Sequence, residues 1–102
     1  DRGFFCYPEV DIRIPFTPIM HQILELLPDR FAATELLLTG KRIGGIEAQA
    51  KQIVMAAYPA EELWEKTMEM AGMLARKDRR TYTTIKHGLR QILVDTWNRW
   101  QD

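Results

Sequence analysis

Glu9 is the residue in this sequence best placed to do chemistry. It follows Pro8 directly, and Tyr7, Val10, Ile12 and Phe16 lie close by along the chain. Apolar neighbours could make the surroundings of a carboxylate dry, the setting in which a side chain can act as a base. Pro8 has no N–H for a sheet ladder and ends the aromatic run before it, which puts Glu9 at a strand-to-loop junction. A lone carboxylate in such a place is ordinarily a solvated loop acid.

Other groups weigh less. Asp11 reads as a turn acid, and Cys6, within an aromatic run, as a small buried hydrophobe. His21 and His87 sit in amphipathic stretches as boundary residues. The single cysteine cannot form an internal disulfide and has no metal-ligand spacing to either histidine, so no metal site is expected. Gly44-Gly45 lacks the Lys-Ser/Thr pair of a phosphate loop and reads as a helix start. The run Arg76-Lys77-Asp78-Arg79-Arg80 reads as a solvated turn between helices that could also meet an anionic substrate. Met68, Met70 and Met73 read as adaptable core or interface filler.

The elements that must position these groups can be read from periodicity and caps. Residues 4–7 are β-prone, and residues 9–16, between prolines, suit an extended loop. Thr17-Pro18 opens a helix expected to reach about Leu27, with the hydroxyl as cap and proline at the first helical position. After Pro28-Asp29 a short helix runs to Thr39-Gly40, where glycine can take the left-handed end. A helix over residues 46–51 precedes a brief strand or extended segment at 53–57. Residues 60–77 place Leu63, Thr67, Met70 and Leu74 on one face, with acids leading and bases trailing. Asp78 caps a last helix carrying Tyr82, Ile85, Leu89, Ile92, Leu93 and Trp97.

The 102 residues, 46% hydrophobic, form one segment with no second domain. Within it, 1–16 is the strand and the loop bearing Glu9, 17–59 holds helices and a short strand, and 60–102 holds the C-terminal helices. The expected class is α+β, predominantly helical, with one or two short strands and about five helices. Fourteen basic and fourteen acidic residues balance, which argues against a nucleic-acid partner. The apolar runs are too short for a membrane span. An intracellular setting is expected. Without an initiating Met or leader, the sequence reads as entered partway through.

The stretch Phe4-Phe5-Cys6-Tyr7-Pro8-Glu9-Val10-Asp11-Ile12, followed by Ile14-Pro15-Phe16, resembles the segment of the crotonase superfamily that delivers a glutamate after a strand. Further on, Glu35-Leu36-Leu37-Leu38-Thr39-Gly40-Lys41-Arg42-Ile43, then Ile46-Glu47-Ala48-Gln49-Ala50-Lys51, Ile53-Val54 and Lys77-Asp78-Arg79, resemble the later segments in their order. The resemblance covers nearly all of residues 1–94. The Asp1-Arg2-Gly3 lead-in and residues 9–12 look most like the monofunctional enoyl-CoA isomerases. Arg13 stands where many relatives have glycine, Ile19 stands near a commonly small position, and the tail carrying Trp97 and Trp100 departs from the pattern.

What the resemblance implies is the C-terminal part of a ClpP/crotonase-like fold acting on acyl-CoA thioesters. Glu9 would be the base, and Tyr7, Pro8, Ile12, Pro15 and Phe16 would line the substrate. No cofactor is implied, because CoA serves only as the substrate's carrier. The compartment would be the cytoplasm or a fatty-acid-oxidising organelle, and trimer-type self-association would follow. In this family the oxyanion donors and a hydratase's second glutamate come from segments upstream of those matched here. Isomerase and hydratase therefore both stay open, and the isolated chain is expected to be inactive. A different class also fits: a non-catalytic helical interaction or oligomerisation module, or a truncated relic.

Overall fold

The computed structural model describes residues 3–101. Among the described residues seven helices follow one another: α1 (Glu9–Ile12), α2 (Pro18–Leu24), α3 (Arg30–Thr39), α4 (Gly45–Ala50), α5 (Ala60–Ala75), α6 (Arg79–Leu89) and α7 (Gln91–Gln101). Most begin or end where a cap was expected. The Thr17 hydroxyl accepts the Met20 N–H at 3.4 Å, with Pro18 at the first helical position of α2. Asp29 accepts the Ala32 N–H at 2.9 Å, and Gly40 closes α3 in the left-handed region with φ of 66°.

Four expectations are corrected. Residues 4–7 do not form a strand. Phe5 makes one isolated antiparallel bridge to Ile43, with N–H···O distances of 2.8 and 2.9 Å in the two directions. Among the described residues the aromatic run finds only this one paired residue, too little for a ladder. Its neighbour, residues 9–16, is no extended loop throughout. Pro8 O accepts from Asp11 N and Ile12 N, Glu9 O accepts from Ile14 N and Arg13 N, and the result is the single turn of α1.

Residues 53–57 also form no strand. Gln52 adopts φ of 58°, Ile53 N–H reaches Ala48 O at 2.9 Å and Gln52 N–H reaches Gln49 O at 2.9 Å. This is a Schellman cap, and its hydrophobic contact is Ile53 against the cluster holding Ala48. Finally, the last helix is two. Arg90 leaves helical geometry at φ −111°, just after Gly88, and α7 packs back on α2 as well as on α6. The α+β expectation thus becomes an all-helical arrangement among the described residues.

The core is small. Leu36 of α3, Ile43 of the following loop and Ala48 of α4 are buried together, with Phe5, Tyr7 and Ile53 packed on them. Fully burying a leucine such as Leu36 contributes about 1.5–3 kcal/mol, so this cluster is what holds the bridge segment on α3 and α4. A second contact joins α2 to α7, where the buried Thr96 hydroxyl donates to Gln22 Oε1. By contrast α5 and α6 bury no residue, and Trp64, Met68, Ile85 and Leu89 lie open.

Candidate active site

The Phe5–Ile43 bridge brings the bridge segment across α3, and Pro8 turns the chain into α1 with Glu9 at its first position. A carboxylate in a first turn is favoured by the free N–H groups there. Glu9 is half-buried, and its Oε2 has essentially no solvent contact and no hydrogen-bond partner among the described residues. Leaving a buried carboxylate oxygen unpaired is costly, and such atoms are concentrated where function requires them.

Aromatic rings flank this turn in a chain of edge and tilted contacts. Phe5 and Tyr7 have centroids 5.1 Å apart at 86°, Tyr7 and Phe16 are 6.3 Å apart, and Phe16 and His21 of α2 are 5.3 Å apart. The Tyr7 hydroxyl is pushed above its ordinary pKa of 10.0, chiefly by burial and further by the nearby charge of Glu9. Tyr7, Glu9 and Phe16 therefore gather on one patch, bounded by the start of α2. Proton transfer beside an apolar substrate is chemistry this arrangement can perform.

The remaining residues expected to line a substrate lie differently. Pro8 is the exposed N-cap of α1, while Ile12 and Pro15 are open to solvent. His21, a boundary residue by its place in an amphipathic helix, joins the aromatic chain through its contact with Phe16. Nothing local in the sequence announces that contact. An apolar hollow of about 430 Å³ opens elsewhere, between Phe4, Phe5, Ile46, Val54, Ala57 and Leu63. Glu9 does not line it.

At the α5–α6 turn, Asp78 accepts the Thr81 N–H at 2.9 Å and its hydroxyl at 2.7 Å, and these bonds lower its carboxyl pKa. The basic residues Arg76, Lys77, Arg79 and Arg80 around it are exposed. Among the described residues no group of three or more His, Cys, Asp or Glu side chains could hold a metal ion. No described helix is long and apolar enough to cross a membrane. Asp1 and Arg2 of the lead-in, and Asp102 of the tail, lie outside the described residues.

Over all of its 102 residues the chain is 26% identical to hydroxycinnamoyl-CoA hydratase-lyase from Pseudomonas fluorescens, matching 37% of that protein's length. The likeness supports the crotonase superfamily, and no subtype within it. The chain spans little more than a third of the curated relative it matches. No family model matches it, and no solved structure does.

Proposed function

We propose that this chain supplies the general base of an enoyl-CoA isomerase-type enzyme, which shifts a double bond from the 3- to the 2-position of an acyl-CoA thioester. Glu9 would take a proton from C2 and return one at C4, with electrons moving through the enolate of the thioester. The observation that carries this reading is the buried Oε2 of Glu9, without a hydrogen-bond partner among the described residues, beside Tyr7. A desolvated carboxylate oxygen without a hydrogen-bond partner is costly to keep, which is the kind of cost a functional group carries. Tyr7 and Phe16 would offer the apolar wall, with Pro8, Ile12 and Pro15 at its rim. Stabilising the enolate oxygen takes preorganised N–H donors, about 3 kcal/mol for a single one, and the resemblance assigns these to glycine-containing segments upstream of those matched.

Hydration of a 2-enoyl-CoA is the second reading, favoured by the name of the hydratase-lyase relative. A rival of another class, a helical interaction module, is favoured by the open apolar faces of α5 and α6. Self-association is compatible with all three.

The test is Glu9→Gln in the complete protein that carries this chain. Isomerisation of a 3-enoyl-CoA is expected to fall at least about a hundredfold while acyl-CoA binding persists. A Gln variant that keeps its isomerase activity would rule Glu9 out as the base. Turnover of hydroxycinnamoyl-CoA but not of a 3-enoyl-CoA by the wild type would select the second reading. Turnover of neither, together with a stable complex in sedimentation, would select the module.

A further inference from the structure

Helix α5 presents an apolar side to solvent. None of its residues is buried, and Trp64 and Met68 are 75% and 51% exposed. Trp64, Met68, Ala71 and Ala75 follow at steps of four, three and four, so they stand on one side of the helix. That side has a projection, Trp64, and a notch. Met68, Ala71, Gly72 and Ala75 stand at i, i+3, i+4 and i+7, the corners of a hole in knobs-into-holes packing, and Ala71, Gly72 and Ala75 are small enough to leave it open. Beyond the helix's own backbone, a Cβ added at Gly72 would have only Arg76 Nη1 near it among the described residues, at 3.7 Å, which puts the guanidinium at the edge of the notch. Charge is sorted along the same helix, with Glu61, Glu62 and Glu65 in its first half and Arg76 and Lys77 at its end. Glu61, Glu65 and Arg76 make no ion pair among the described residues.

We propose that α5 pairs with α5 of a second copy of this chain, antiparallel, about a two-fold axis at Met68. Such an axis lays residues equally far before and after Met68 against each other. Trp64 of each copy then enters the notch of the other, and Glu61 and Glu65 of each come against Arg76 of the other. A two-fold brings the same face of both copies together and so makes every one of these contacts twice. Parallel pairing in register would set acid on acid and tryptophan on tryptophan. Acid against base fixes the direction, while a tryptophan seated in a pocket is the kind of anchor that carries an interface. Glu9 plays no part in the pairing.

Charge exchange tests both the partner and the direction. In the complete protein Arg76→Glu sets acid against acid, and the mass in sedimentation equilibrium is expected to halve. Glu61→Arg combined with Glu65→Arg sets base against base and is expected to do the same. Mixing the two variants in equal amounts restores both contacts, so the full mass is expected to return. A wild type that sediments as a monomer, a mass that either variant leaves unchanged or reduces to a third, or a mixture that does not recover overturns the proposal. Met68→Cys in a Cys6→Ala background is expected to give a disulfide-linked dimer on air oxidation, and Lys66→Cys, on the opposite side of α5, is not. Should a charge variant lose its helical circular dichroism, the Met68→Cys result decides, and the absence of a linked dimer overturns the pairing.

Discussion

Tyr7 is close enough to Glu9 that the carboxylate's charge, added to the effect of burial, raises the pKa of the phenol. A phenol with a raised folded pKa keeps its proton longer in the native state than in the unfolded chain. Its contribution to stability is therefore fully present below pH 10 and is lost as the pH rises from there through the folded pKa. Chemical denaturation at a series of alkaline pH values should show this decline, and Tyr7→Phe should flatten it. Glu9→Gln should move the phenolate absorbance titration part of the way back toward 10, because burial, the larger cause, remains.

Arg13 ends α1 at φ of 59°, a left-handed conformation that a side chain with a Cβ adopts at some cost. Arg13→Gly is expected to stabilise the protein by roughly 0.5–1 kcal/mol, the relief of strain exceeding the added freedom of the unfolded chain. The urea midpoint measures this. An unchanged or lower midpoint would mean that the Arg13 side chain contributes contacts worth at least as much.

Leu36 is fully buried in the cluster that holds Ile43 and on which Phe5 and Tyr7 pack. Leu36→Ala should destabilise by about 2–5 kcal/mol, the range for emptying a leucine-sized core position. Because that cluster also holds the bridge to Phe5, amide exchange at Phe5 and Ile43 should accelerate more than exchange within α5.

At the α2–α7 contact, the Thr96 hydroxyl donates to Gln22 Oε1 and accepts from Arg99 Nη2 at 3.3 Å. Thr96→Val keeps the shape, removes the hydroxyl and leaves the Gln22 oxygen unpaired. A loss of about 1 kcal/mol is expected in denaturant titration, with faster amide exchange confined to α2 and α7. Uniform loosening of every helix would argue against a local tie.

The helix ends were legible because each is a bond between one residue and backbone a few positions away. Thr17, Asp29, Gly40 and Asp78 all cap where their types suggest. Glu9 stands out only through the resemblance, because a carboxylate after a proline is by itself an ordinary loop acid. The failures share a cause too. The propensity of Tyr7 and its neighbours favours a strand, but a strand exists only if another segment pairs with it, and Ile43 alone does so among the described residues. Ile53 looked β-prone and is instead taken up by the cap of α4.

What the residues determined by themselves was a helical chain with defined caps, balanced charge and one carboxylate set among apolar neighbours. Only the tertiary structure decided that α1 is a turn packed on α3, that Tyr7, Phe16 and His21 line up beside it, and that the last helix breaks at Arg90 so that α7 can meet α2. Each of these joins groups far apart along the chain. Their energies come from packing and close approach between segments, which local propensity and periodicity do not encode.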